Sequence, residues 1–239
     1  MASLYLVSHL NEQDAAADGT VRVTGDEARH AITVARIRVG ESISVGDGAG
    51  LIIEGNVASI EATELTVDVH VVRREELPRP QLWLAQALAK GDRDELAIQA
   101  ATELGVSGVI PWQAERSVSR WDGAKAERGR ERWRSIVREA SKQSIRAWVP
   151  EVAEPATTKQ LAALPGLVLI LEPTATTKVT DVELGEHERI TLVVGPEGGV
   201  SAKELQLFES HVRLGPEVLR TSTAGPAALA VLNARLGRW

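Results

Sequence analysis

Cysteine is absent from this 239-residue chain, and aromatic side chains are scarce: six Trp, one Tyr and one Phe, with a single Met. The missing thiol removes disulfide scaffolds, thiol nucleophiles, covalent thiol adducts to a substrate and Cys-based zinc sites. No apolar run approaches the ~20 residues that cross a bilayer. The start, Met1-Ala2-Ser3-Leu4-Tyr5, lacks the pattern of a signal peptide. A soluble, cytoplasmic protein is expected. An excess of positive charge is missing too, since 27 Lys and Arg stand against 33 Asp and Glu, a formal charge of −6. That balance argues against indiscriminate nucleic-acid binding. Length and a hydrophobic content of 44% suffice for one large domain or two ordinary ones with a sizeable core.

Two periodicities divide what is present. Residues 1–73 read as β-rich, with short runs at 4–7, 42–45, 51–57 and 65–72 separated by Gly-, Asp- and Asn-containing turns such as Gly46-Asp47-Gly48-Ala49-Gly50. The stretch Leu65-Thr66-Val67-Asp68-Val69-His70-Val71 alternates as a half-buried strand does. Glu75-Glu76-Leu77-Pro78-Arg79-Pro80 reads as a linker. Beyond it, strands are expected at 82–89, 106–112, 167–171, 190–194 and 212–214, and helices at 94–104, 125–143, 201–210 and 227–236. Runs 167–171 and 190–194 do not alternate, as in strands covered on both faces. This order predicts an α/β fold with a mainly parallel sheet after the linker. The expected domains are 1–74, a linker at 75–80, and 81–239.

Ligands of open α/β sheets lie at the carboxyl ends of the strands. Three such ends are unusual here: Leu171-Glu172-Pro173, Gly195-Pro196-Glu197-Gly198-Gly199, and Leu214 through Ala224. The glycines of the second permit close approach of a ligand to the main chain, or equally a tight strand-to-helix turn. No Lys-Ser/Thr follows, so this is not a P-loop, and dinucleotide glycine spacing is absent. Glu197 inside the loop suits a cationic or neutral ligand better than phosphate. A nucleoside carrying a sulfonium, such as S-adenosylmethionine, fits that description. The five histidines, His9, His30, His70, His187 and His211, show no metal-ligand spacing, so no metal is expected.

The acid is unevenly spread. Residues 1–80 carry −6 and 151–239 carry −3, whereas 81–150 carry +3. Within 116–146, Arg116, Arg120, Arg130, Arg134, Arg138, Lys142 and Arg146 belong to a set of ten cations against four acids. Four of them repeat every fourth residue along the expected helix, while Trp133, Ile136, Val137 and Ala140 mark its core face. Such a stripe is either a solvated face or a surface that tracks RNA phosphates. Arg22, Arg29, His30, Arg36 and Arg38 form a second, smaller basic cluster.

Taken together, these pieces resemble the RsmE family, ribosomal small-subunit RNA uridine-N3 methyltransferases of the SPOUT class. The matching residues run nearly end to end. They comprise His30 with Val34-Ala35-Arg36, Gly46-Asp47-Gly48, Lys90-Gly91-Asp92-Arg93, Thr102-Glu103-Leu104-Gly105-Val106, and Pro111 with Glu115-Arg116-Ser117. Arg132-Trp133, Glu139-Ala140 with Gln143-Ser144 and Arg146, Gly195 through Gly199, and Leu214-Gly215 with Leu219-Arg220-Thr221 complete them. The resemblance implies an N-terminal PUA-like β-barrel that binds RNA, and a SPOUT-type α/β domain whose C-terminal part forms a trefoil knot. It also implies S-adenosyl-L-methionine as cofactor, a homodimer, and 16S rRNA, within the 30S subunit, as partner. Carried over by position, the cofactor residues are Leu171, Glu172, Gly195, Pro196, Glu197, Gly198, Gly199, Leu214, Gly215, Leu219, Thr221 and Thr223. The RNA-binding residues would include Arg93 besides both basic clusters.

Two positions depart from the family pattern: Ser222 stands where Glu often follows Leu-Arg-Thr, and Ala100 where Lys is common. The first leaves Glu197 and Arg220 as the ionisable catalytic candidates. Uracil N3 holds its proton at physiological pH, so methylation there needs deprotonation. Arg220 against O2 or O4 would stabilise the developing anion, and Glu197, or a water it orients, would accept the proton. Alternatively, Glu197 satisfies backbone donors and Arg220 binds phosphate. A ribose 2′-O-methyltransferase of the same class, or a non-catalytic PUA-like RNA-binding protein, are the rival functions.

Overall fold

Strands that alternate and strands that do not build two different sheets. A computed structural model describes residues 3–7, 10 and 19–239, so His9 lies outside the described residues. The chain forms two compact units, Met1–Leu77 with Ser141–Val149, and Pro78–Ala140 with Pro150–Trp239.

The first unit holds β1 (Leu4–Leu6), β2 (Thr20–Thr24), the short helix α1 (Gly25–Arg29) running into a π-helical turn (His30–Ala35), β3 (Ser42–Gly46), β4 (Leu51–Ile60) and β5 (Glu64–Arg74). The sheet order is β1-β3-β4-β5-β2, parallel only between β1 and β3. In β5, Leu65, Val67 and Val69 point inward and alternate with more exposed residues, as their spacing predicts. Strand β4 departs from alternation because both its faces are covered. Ile53 and Val57 enter a core with Tyr5, Val23, Val45 and Val67. Ile52 meets Leu4, Leu6 and Ala147 on the other side. Helix α1 and the π-helical turn lie in a segment that the sequence reads only as β-rich. They are short, and Ala28 and Ala31 bury against the sheet.

The glycine-rich turn after β3 is what admits segment 141–149 to this unit. Gly50 donates its N–H to Ala147 O at 3.0 Å, and Val149 donates to Gly48 O at 3.0 Å. A Cβ on Gly50 would stand 2.8 Å from the Trp148 ring and 2.6 Å from Glu75 O, and its φ of +103° is one that side chains rarely adopt.

The second unit contains β6 (Gln81–Ala87), α2 (Arg93–Glu103), β7 (Gly108–Trp112), most of α3 (Ala124–Gln143), β8 (Glu151–Val152), α4 (Thr158–Ala162), β9 (Leu167–Leu171), β10 (Arg189–Val194), α5 (Ala202–Leu205), β11 (Ser210–Val212) and α6 (Thr221–Arg235). The six strands run in the order β11-β9-β10-β6-β7-β8, every neighbour parallel. Continuous apolar runs suit this sheet because both faces are covered. Trp83, Ala85, Ile170 and Val193 join Trp112, Leu161 and Phe208 on one side. Helices α6 and α2 pack on the other, against β10 and β6.

Boundaries moved where local signals were ambiguous. Helix α6 begins at Thr221 rather than 227, with Pro226 inside it. The proline reads as a boundary because it lacks an N–H, yet the close seating of Gly225 against Leu84 and Val194 carries the helix through. The capping box at Ser201 is present, but α5 covers four residues instead of ten, and β11 is Ser210–Val212 rather than 212–214.

Gly55 sits at a register shift between β4 and β5, and a Cβ there would lie 2.1 Å from Asp68 O. That oxygen belongs to the backbone and cannot swing aside. Gly55→Ala should therefore lower stability by about 2–3 kcal/mol, read from the midpoint of urea denaturation.

Candidate active site

The strand order reverses in the second unit where β10 lies beside β6, and ligands favour that end of such sheets. A cavity of about 410 Å³ opens there, at the carboxyl ends of β9, β10 and β11. Its size is ordinary for a small-molecule site. Three loops form it: Leu171-Glu172-Pro173, Gly195 with Pro196, Glu197 and Gly199, and Val212 through Thr221. The walls are largely aliphatic, from Leu171, Val194, Val200, Leu214 and Leu219, with a few convergent charges.

Of the residues expected to hold cofactor, Leu171, Glu172, Gly195, Pro196, Glu197, Gly199, Leu214, Gly215, Leu219 and Thr221 line this cavity, and Arg220 stands with them. Gly198 and Thr223 are not among its lining residues. Gly198 instead faces Arg116, whose Nη1 donates to Gly198 O at 3.2 Å. Thr223 lies one turn into α6, its N–H donating to Arg220 O at 2.8 Å. Sequence reasoning missed Arg213 and Val200, which also line the cavity, and did not single out Glu217 within the flagged third loop. Arg213 escaped because β11 ends two residues earlier than expected, so that it opens the loop instead of lying within a strand.

Two buried polar side chains fasten the floor. Gln86, fully buried in β6, donates through Nε2 to Thr221 Oγ1 at 2.8 Å, and Thr221 donates to Gly195 O at 2.9 Å. One hydroxyl thus ties the central strand, the start of α6 and the glycine-rich loop together. A glutamine amid an apolar strand was the signal available in the sequence.

Glu204 supports the far side of the same loop. Its carboxylate accepts from Glu115 N–H at 2.9 Å, Thr158 Oγ1 at 2.8 Å, and Ser201 N–H and Oγ at 3.2 and 3.1 Å. Burial alone would raise its pKa, but these four donors outweigh burial and hold it below the ordinary carboxylate value.

At the rim, Glu197 pairs with Arg93, Nη1 to Oε1 at 3.0 Å. Arg93, which the family resemblance places among the RNA-binding residues, lines the cavity. The basic stripe of α3 is likewise engaged within the protein. Arg130 is 11% exposed and bonds Glu127, Glu154 and the carbonyls of Val152 and Ala153. Arg134 pairs with Glu127 at 2.7 Å, and Arg138 has partners as well. Arg132 is bound by Glu95. In the first unit, Lys142 meets Glu27 at 3.2 Å with both side chains mostly buried, and burial pulls the Arg146 guanidinium down to about 10. Arg116 and Arg120 stay exposed in the second unit, and Arg22, Arg29, His30, Arg36 and Arg38 in the first. Arg36 closes the π-helical turn with a left-handed φ of 53°. Among the described residues, no group of three or more His, Cys, Asp or Glu is placed to hold a metal ion, and no helix is long and apolar enough to cross a membrane.

A parallel sheet with a cavity at the carboxyl ends of its strands, in a chain that also holds a mixed sheet, defines a class, and comparison with known proteins specifies it. The chain matches an RNA methyltransferase domain over residues 75–233 and an RNA methyltransferase PUA domain over 23–69. A ribosomal RNA small subunit methyltransferase E from Mycobacterium bovis is 40% identical over all of this chain and 94% of its own length. The enzyme of that name from Bacillus subtilis is 30% identical over 90% of each chain. The crystal structure of a ribosomal RNA small subunit methyltransferase E from Neisseria gonorrhoeae bound to S-adenosyl methionine superposes with a TM-score of 0.86, at 27% identity over 98% of each chain. The chain belongs to the ribosomal RNA small subunit methyltransferase E family.

Two outcomes follow from the floor and the support. Thr221→Val should remove both hydroxyl bonds, cost about 1–3 kcal/mol and weaken S-adenosylmethionine binding about tenfold, read by calorimetry. Because the folded pKa of Glu204 is depressed, its contribution is complete above the ordinary carboxylate range and is lost as pH falls through the folded value. Stability of the unaltered protein should thus drop more steeply below about pH 4 than that of Glu204→Gln in pH-dependent urea melts.

Proposed function

We propose that this protein transfers the methyl group of S-adenosyl-L-methionine to uracil N3 of one uridine in 16S rRNA, within the 30S subunit, in the cytoplasm. The observation that carries the reading is the cavity at the carboxyl ends of β9, β10 and β11, closed by three loops that hold ten of the twelve expected cofactor residues. Aliphatic walls with Glu172, Glu197 and Glu217 alongside Arg93, Arg213 and Arg220 suit a nucleoside that carries charges of both signs. When bound, that cofactor supplies an electrophilic methyl carbon on sulfur.

Chain residues do the rest. Arg220 occupies the N-cap of α6, exposed beside the cavity. Its guanidinium and the positive end of the 15-residue helix both favour negative charge there. Placed against O2 or O4, Arg220 stabilises the anion that forms as N3 loses its proton. Glu197 accepts that proton. The loops fix N3 in line with the methyl carbon, so positioning contributes much of the acceleration. A paired base hides its N3 edge, and the target uridine is therefore unpaired or flipped out.

The same reading assigns residues 1–74 as a PUA-like β-barrel that binds RNA, supported by the exposed Arg22, Arg29, His30, Arg36 and Arg38. It takes 75–80 as linker and 81–239 as the methyltransferase domain, with a C-terminal trefoil knot. The protein works as a homodimer. Of the cations in 116–146, exposed Arg120 and Arg116, whose one bond runs to the Gly198 carbonyl and to no carboxylate, are best placed for phosphate, because Arg130, Arg134, Arg138, Lys142 and Arg146 have other partners or lie buried.

The test is radiolabelled methyl transfer to 30S subunits and to naked 16S rRNA, with the methyl mapped by mass spectrometry of digested rRNA. Label on uracil N3 is expected, whereas label on ribose 2′-O would make the enzyme a ribose methyltransferase. Arg220→Ala should lower kcat about 10²-fold with cofactor affinity unchanged. Near-full transfer by that variant would remove Arg220 from the anion-stabilising role.

A further inference from the structure

Arg213, the first residue after β11, is half-buried and lines the cavity. Its backbone is held from both sides. Arg213 N–H donates to Thr177 O at 2.9 Å, and Val179 N–H donates to Arg213 O at 2.9 Å. Val179 is fully buried, and Arg235 of α6 donates to its carbonyl at 3.0 Å. The side chain that leaves this fixed point has a buried Nε with no acceptor among the described residues. Glu172 stands beside it in the sheet, since Glu172 N–H donates to Val212 O at 2.9 Å. The Glu172 carboxylate, however, accepts from Thr174 N–H and Oγ1 at 3.2 and 2.9 Å. A buried donor without an acceptor is costly, more so on a cation.

The charges that line the cavity are Arg93, Arg213, Arg220, Glu172, Glu197 and Glu217. Arg93 and Glu197 answer each other at 3.0 Å, and Arg220 is exposed at the N-cap of α6. S-adenosylmethionine brings two cationic centres, the sulfonium and the α-ammonium, and one anion, the α-carboxylate. A guanidinium can offer Nε–H and an Nη–H side by side to the two oxygens of a carboxylate. We infer that Arg213 is a specificity-determining residue that recognises the α-carboxylate of the methyl donor. Glu172 and Glu217 then remain for the cationic centres, and Arg220 for the uracil. The inference rests on the methyl-donor reading above and adds to it which end of the donor the cavity selects. An adenosyl sulfonium without the carboxylate keeps every cationic and apolar feature of the donor, yet leaves the Arg213 donor unanswered.

The experiment is calorimetry on the full chain without RNA. It compares S-adenosylmethionine with decarboxylated S-adenosylmethionine, which keeps the sulfonium, the amine and the adenosine. The unaltered protein should bind the first about 10–100-fold more tightly, the range of a hydrogen-bonded charge. Arg213→Met removes the charge and keeps an unbranched side chain. It should weaken the first ligand by that factor and leave the second within about twofold, whereas Arg213→Lys, a point charge without the fork, should recover part of the loss. Circular dichroism and the urea midpoint show whether each variant is folded. Equal affinities in the unaltered protein would overturn the inference without recourse to any variant. So would a preference that survives Arg213→Met, or an equal loss of both ligands, which a merely structural Arg213 or one set against the adenosine would give. If the unaltered protein bound neither ligand, the methyl-donor reading itself would fail and this inference with it.

Discussion

The parallel pairing of β6 with β10 is the constraint on which the site depends. Register sets Leu84 opposite Leu192 and Gln86 opposite Val194, so the last residues of both strands finish side by side. One step beyond Val194 the chain turns into the glycine-rich loop, and Gln86 is already in place to reach Thr221. Three segments far apart in the chain thereby share one hydroxyl between them. Because both faces of these strands are buried, an error of one residue in register would send each side chain to the opposite packed face and strand the Gln86 amide away from Thr221. Burial therefore fixes the site's position, and polar bonds fix its detail.

Charge around the cavity follows a different logic. Arginines and glutamates occupy the rim, where water screens them, and the walls are aliphatic. Pairs of this kind add little stability. Glu204 is the opposite case, buried and answered by four donors, so its role is to hold a loop still. The same residue type is thus a strut beneath the loop and an ion-pair partner at its rim, with burial setting the difference.

Much of this was readable in advance, for identifiable reasons. Continuous apolar runs announced the parallel sheet, and glycines and prolines after β9, β10 and β11 announced the three loops. Helix periodicity also placed Trp133, Val137 and Ala140 on the buried face of α3. The basic stripe was visible too, but its meaning was not. Arg130 lies on that stripe and is nevertheless mostly covered by Glu127, Glu154 and two carbonyls, the last three of them 22–24 residues away and on no helical wheel. Segment 141–149 was equally opaque, because its apolar residues complete a core begun by Leu4, Leu6 and Ile52.

The sequence by itself determined most element types, though not α1 and its π-helical turn, together with the chemistry of the loops and the family, since these are written in local spacing and in short motifs. Tertiary structure alone decided which charges are free, which arginine meets Glu197, and which loops close a single cavity. A charge is available or spent according to its neighbours in space, and those neighbours lie from a few to more than a hundred residues away in the chain. Arg93 and Glu197 show the division: each was named from its motif, and only folding put them 3.0 Å apart.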